Sequence, residues 1–220
     1  MPETWTMPRF LIAGLGNYPY PRTRHSVGQV VLDSLAGKWN LTLGYQQKHQ
    51  AWLGTRTVDI LGTSPVEVTL VKPKLLMNIS GPAITSVLKN FPAEHRTPRN
   101  VILLQDSLSH PPLAVSAKFG GSANGHNGFP DRQMTSFTVY ASESEGLHTR
   151  RPQFPVPRPA NDEFHRIRLG IGRPTHKAAD VADYVLGPLS REELDWWAYG
   201  GEGLNKVVIA LEAIIKKSSL

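Results

Sequence analysis

Phe10-Leu11-Ile12-Ala13-Gly14-Leu15-Gly16-Asn17, taken with Thr23-Arg24-His25-Ser26-Val27-Gly28, is the stretch on which the fold turns. An apolar run ends in a glycine turn carrying an amide side chain, and His25 follows eight residues after that amide. Residues 9–13 read as a buried strand. Residues 24–37 read as a helix with Val27, Val30, Val31 and Leu35 on one side. A histidine where a strand hands over to a helix is where an α/β protein places a general base.

The same rotation of elements continues outward. Residues 50–57 and 66–71 are alternating or β-branched and predict strands, and 78–90 carries helical spacing in Ile84, Val87 and Leu88. Residues 101–104, 113–119 and 166–171 predict further strands. This order specifies an α/β class: a single domain over 1–220, with a mixed central β-sheet flanked by helices. Ser190 and Glu193 form a capping box, and Leu204, Val207, Val208, Leu211, Ile214 and Ile215 continue one helical face to Lys216 and Lys217. This final helix reads as structural. Residues 138–161 are Ser-, Arg- and Pro-rich and predict an inserted surface loop, with too many prolines for a helix.

Composition narrows the chemistry. The chain has no cysteine, which excludes a disulfide framework, a thiol nucleophile and cysteine-ligated metals. No apolar run approaches the roughly 20 residues of a membrane span. Residues 1–9 lack the apolar centre of a secretory signal. A net charge of +6 favours a polyanionic partner, although ordinary enzymes are often as basic.

Four polar, glycine-bearing segments adjoin apolar elements: 14–28; Met77-Asn78-Ile79-Ser80-Gly81; Asp106, placed directly after its strand; and Gly120-Gly121-Ser122-Ala123-Asn124-Gly125-His126-Asn127-Gly128. Loops at the carboxyl ends of strands converge on ligands in open sheets. A histidine of near-neutral pKa can deprotonate water, an aspartate on its other ring nitrogen fixes the tautomer, and asparagines hold carbonyls or an oxyanion. Gly14-Leu15-Gly16 opens a dinucleotide fingerprint, but Pro19 occupies the third glycine position. No Walker loop, HExxH pair or Gly-x-Ser-x-Gly elbow occurs, and Ser26 therefore lacks the setting of a nucleophile. Residue chemistry alone leaves His25 and Asp106 open between a catalytic pair and ordinary structural groups.

In order along the chain, Asn17, Thr23-Arg24-His25, Lys72-Pro73, Met77-Asn78-Ile79-Ser80-Gly81, Asp106, Gly125-His126-Asn127-Gly128, Arg168-Leu169-Gly170-Ile171-Gly172-Arg173-Pro174 and Val185-Leu186-Gly187 resemble the motifs of the bacterial-type peptidyl-tRNA hydrolase family. The resemblance implies hydrolysis of the ester joining a peptide to the 3′ ribose of tRNA. It implies His25 as general base and Asp106 as the residue orienting it. Asn17, Asn78 and Asn127 would line the peptide and 3′-end cleft. Tyr20 matches a family tyrosine, and Lys118 and His126 match positions of tRNA contact. It implies no metal or nucleotide cofactor, and a monomer whose partners are peptidyl-tRNA and tRNA released from the ribosome. The compartment it implies is the cytoplasm, with the mitochondrion as the alternative.

The chain departs from the family pattern at several points. Ser26 stands where the family has asparagine; a hydroxyl has less reach, so the support around His25 changes. The segment between Asn17 and His25 is shortened and carries Tyr18-Pro19-Tyr20. Asp106-Ser107-Leu108-Ser109 replaces Asp-Glu-Leu-Asp, removing two carboxylates. These features look more like a eukaryotic relative. Two other functions compete with the hydrolase: a non-catalytic RNA-binding or RNA-processing protein on the same fold, and an esterase of small substrates.

Overall fold

The computed structural model describes residues 7–60, 65–120, 163–174 and 180–218, together with the backbone but not the side chain of Asn78. Its centre is β1 (Arg9–Gly14), flanked by β4 (Val66–Pro73) and β5 (Val101–Ser107), both parallel to it. With β2 (Gly44–Gln46), β3 (Ala51–Val58), β6 (Val115–Phe119) and β7 (His165–Gly170), the sheet runs β2-β3-β4-β1-β5-β7-β6. β7 is parallel to β5, whereas β3 and β6 run antiparallel to their neighbours. The mixed sheet flanked by helices is the predicted class.

β1 is apolar throughout because both of its faces are covered. Phe10 and Ile12 face one core with α1 (Val27–Lys38) and α5 (Glu202–Ser218); Leu11 and Ala13 face another with α2 (Gly81–Leu88). α3 (Val181–Leu186) and α4 (Arg191–Trp197) join the first layer through Val185 and Trp197. The chain leaves β1 for β4 on one side and then returns for β5 on the other. The connections therefore diverge at the carboxyl end of β1, the position at which ligands bind in sheets of this kind.

Three sequence expectations change. The predicted final helix is two helices, α4 and α5, because Gly200 takes φ +88° and turns the chain between them. The helix predicted from residue 24 begins at Val27, after a single 3₁₀ turn over Arg24–Ser26. Asp106 does not follow β5 but lies within it. Gln105, Asp106 and Ser107 stay in register with Arg168, Leu169 and Gly170, so the ladder carries polar residues past the apolar run. The 138–161 segment lies outside the described residues.

Candidate active site

Two glycine-dependent contacts seat α1 at the head of the sheet. A Cβ on Gly28 would lie 2.3 Å from the Leu104 carbonyl oxygen and 2.6 Å from that of Leu15, so the helix meets the ends of β1 and β5 backbone to backbone. This brings the 3₁₀ turn before α1 directly above β5. His25 Nδ1 lies 3.0 Å from Asp106 Oδ2, although 81 residues separate them in sequence.

The pair is asymmetric. The Asp106 side chain is 5% exposed and the His25 side chain 16%, so the carboxylate is enclosed while the imidazole keeps a narrow window. The carboxylate accepts from Nδ1–H, which leaves the Nε2 lone pair as the basic position. Burial works to lower the His25 pKa. The hydrogen bond and charge of Asp106 outweigh it, so the value is raised above the ordinary 6.5. His25 is thus a strengthened base whose conjugate acid is stabilised where it forms.

The loop leaving β1 is knotted around Ser26, which is fully buried. Its hydroxyl accepts from the Asn17 backbone N–H at 3.0 Å and from Thr23 Oγ1 at 3.1 Å, and donates to the Tyr20 carbonyl at 2.8 Å. Among the described contacts Ser26 does not bond the imidazole. Its altered support acts instead on the loop that carries Asn17. Asn17 Oδ1 in turn accepts from the Met77 N–H at 2.8 Å, linking the β1 loop to the β4 loop that bears Asn78. Gln29, also buried, donates to the carbonyls of Gly16 and Pro73 at 3.3 and 3.0 Å and repeats that link below.

Arg24 anchors the other side of the histidine. Its guanidinium lies 4.7 Å from the centre of the Tyr184 ring and 3.4 Å from Glu193 Oε2, and its backbone N–H donates to Gly187 at 3.0 Å. The same Glu193 oxygen closes the capping box, accepting from the Ser190 N–H at 2.7 Å. The helix start read as purely structural therefore also braces the residue before His25.

The other predicted residues separate into groups. Asn17 and the Met77–Ile79 turn converge with His25 and Asp106 at the carboxyl ends of β1, β4 and β5. Tyr20 lies on the same loop and is 53% exposed. Lys118 is not brought to the pair. It sits on edge strand β6 opposite Arg166, which pairs with Leu103, so it occupies the sheet face opposite that of Asp106. His126 and Asn127 lie outside the described residues. His49 is a structural histidine: Asn90 Nδ2 donates to its Nε2 at 3.1 Å and its Nδ1 is 2.7 Å from Ser86 Oγ. Burial, with the nearby Lys48 charge, lowers its pKa and keeps it neutral.

The sequence profile of the peptidyl-tRNA hydrolase family matches residues 11–136 and 158–219. The chain belongs to this family. It is 34% identical over 212 residues to a peptidyl-tRNA hydrolase of Bacillus subtilis, covering 96% of this chain and 94% of the relative. A peptidyl-tRNA hydrolase of Caulobacter vibrioides is 33% identical over 84% of this chain and 77% of its own. The crystal structure of peptidyl-tRNA hydrolase from Acinetobacter baumannii superposes with a TM-score of 0.63 at 27% identity, covering 97% of this chain and 94% of that one.

Within this peptidyl-tRNA hydrolase fold, the supports of the candidate site that the sequence reading missed are Gln29 as a tether and Arg24 with Tyr184 and Glu193 as a brace; Ser26 is marked by its departure from the family pattern, but its hydrogen bonds fall on the Asn17 loop rather than on the imidazole. Hydrogen bonds from single polar side chains have no periodicity to reveal them. The only available signal was their adjacency to Asn17 and His25.

Proposed function

We propose that this chain hydrolyses the ester between a peptide, or an N-blocked amino acid, and the 3′ end of tRNA, using water activated by His25. The observation that carries the reading is the 3.0 Å contact of His25 Nδ1 with an enclosed carboxylate, which leaves Nε2 as the basic nitrogen of a partly exposed imidazole. Water loses its proton to Nε2 as its oxygen attacks the ester carbonyl. Asp106 stabilises the imidazolium, and the proton passes to the departing ribose oxygen. An ester is activated relative to an amide, so this base serves without a covalent intermediate.

Asn17, Asn78 and Asn127 take the peptide and 3′-end contacts in this reading, with Tyr20 at the mouth and Lys118 and His126 on the tRNA. The link of Asn17 to Met77 supports placing the first two together. The +6 charge supports a substrate rich in phosphate. Residues 138–161 are assigned as an insertion, supported by their composition and by the break in the family match between 136 and 158. Ser26 and the Asp106-Ser107-Leu108-Ser109 segment support a eukaryotic branch of the family; a monomer acting in cytoplasm or mitochondrion is what the family resemblance supports. RNA binding alone would not require a buried carboxylate behind an imidazole.

The test is hydrolysis of an N-acetyl-aminoacyl-tRNA by the purified protein and by His25→Ala. A loss of about 10²–10⁴-fold is expected for removal of a general base. Wild-type rates in the variant would refute the mechanism. Cleavage of small esters at equal efficiency would favour the esterase reading.

A further inference from the structure

A groove of about 400 Å³ runs beside the loop after β1, bounded by that loop, the first turns of α1, and α4. Tyr18, Arg22, Gln29, Asp33, Lys72 and Asp195 line it; His25 and Asp106 do not. Ser26, the neighbour of His25 in sequence, also lines it, so the groove adjoins the loop that carries Asn17. Its volume falls in the ordinary range for a small-molecule site.

Tyr18 is held there by an aromatic column. Its ring centre is 4.5 Å from that of Trp52, and Trp52 is 4.9 Å from Tyr45. Trp52 and Tyr45 stand side by side across β3 and β2, so the column is built on sheet backbone. Tyr18 nevertheless stays 42% exposed. Arg22 is also fixed: its backbone takes φ +59°, uncommon for a residue with a side chain, and its carbonyl accepts from the Leu189 N–H at 2.8 Å. Among the described residues its guanidinium has no ion-pair partner, whereas Lys72 is bound by both Asp33 oxygens at 2.7 and 2.9 Å.

We propose that this groove takes one unpaired nucleotide of the RNA substrate, its base stacked on Tyr18 and its phosphodiester on Arg22. This rests on the peptidyl-tRNA reading above, and the occupant is the single-stranded 3′ end of the tRNA. An aromatic face and a cation side by side are the elements of sequence-tolerant single-strand binding. The charge balance suits a single phosphodiester. Arg22 is the one uncompensated cation among the six lining side chains named, because Lys72 is paired with Asp33 and Asp195 lies 4.0 Å from Arg191, so one negative charge is what the groove balances. Asp33 and Lys72 offer an acceptor and a donor to base edges. Tyr18 adjoins Asn17, so a strand seated here ends beside the carboxyl end of β1.

Tyr18→Leu keeps an apolar group against Trp52 without an aromatic face, and Arg22→Asn suits the left-handed backbone without the charge. Tyr18→Leu is expected to raise KM for N-acetyl-aminoacyl-tRNA by about 5- to 150-fold, the range of one stacked base, and Arg22→Asn to raise it at least about fivefold. The ratio of kcat/KM for that substrate to kcat/KM for N-acetyl-aminoacyl-adenosine is expected to fall at least fivefold. Arg22→Asn should also reduce the slope of log KM against log salt by about 0.7. Binding of the oligoribonucleotide ACCA should quench tryptophan emission in the wild type and not in Tyr18→Leu. Equal losses on both substrates would make the loop a positioning element and overturn the proposal, as would unchanged KM and salt slope. Quenching without any cleavage by the wild type would refute the hydrolase reading alone. Cleavage without quenching or a KM change would refute the nucleotide site alone.

Discussion

Replacing Asp106 by asparagine keeps the shape of the side chain and removes its charge. At the 3.0 Å separation from His25, and an effective permittivity of about 20, a unit charge pair is worth about 5–6 kcal/mol before desolvation. Burial of the imidazolium takes back much of this, and the net worth of a hydrogen bond to a charged group is about 1.5–3 kcal/mol. The loss should therefore be about 10- to 150-fold in kcat/KM, and more if the amide donates to Nδ1 and moves the ring proton to Nε2.

The pH dependence gives the sharper signature. In the wild type the His25 pKa is raised, so the free base, and with it kcat/KM, increases with pH through a value above 6.5. Without Asp106 only burial acts on the imidazole, which lowers the pKa, and the acidic limb moves to lower pH. The variant's deficit should thus be smallest near pH 6, where the wild-type base is mostly protonated, and largest near pH 8. The assay is kcat/KM for N-acetyl-aminoacyl-tRNA from pH 5.5 to 8.5, with the His25 ring followed by NMR. An acidic limb that stays in place or moves upward would refute the assignment of Asp106.

Three further outcomes follow from the supports. Ser26→Ala removes a buried hydroxyl that joins Asn17, Tyr20 and Thr23, at about 1–3 kcal/mol, which calorimetry should read as a fall in Tm of roughly 2–10 °C. Ser26→Asn restores the family residue but forces an amide into a site with no exposure; it should also destabilise, by about 1–3 kcal/mol, and a Tm at or above wild type would contradict the tight packing. Because the His25 pKa is raised on folding, the stabilisation of its charged form by Asp106 is fully present below pH 6.5 and is lost as pH rises through the folded value. The gap in unfolding free energy between wild type and Asp106→Asn should therefore narrow from pH 5.5 to pH 9 in urea titrations. A constant gap would show that the contact does not titrate.

The elements legible in the sequence were those whose burial leaves a pattern. The apolar run of β1 and the stripe of α5 each follow from the faces they bury. β2 escaped notice because Gly44, Tyr45 and Gln46 are all exposed and no apolar alternation marks an edge strand. α3 escaped because six residues do not establish a helical period. The sequence reading sets Asp106 just beyond its strand because a carboxylate ordinarily ends one, whereas pairing with Leu169 carries it inside the sheet. Of the site, His25, Asn17 and Asp106 were visible as ordered motifs. Their convergence was not, because it depends on the crossing from β4 to β5 around β1.

The brace of Arg24 on Tyr184 and Glu193 has a consequence for the order in which the molecule matures. Synthesis delivers the amino-terminal half first. β1, α1 and β5 all lie before residue 108, so both members of the His25–Asp106 pair belong to the first half of the chain. The clasp on the residue before the histidine then waits for α3 and α4, more than 150 residues downstream of Arg24. The seat of the base therefore depends on the last part of the chain to be made, and a chain cut short before Tyr184 would carry both members of the pair without the strut beside one of them.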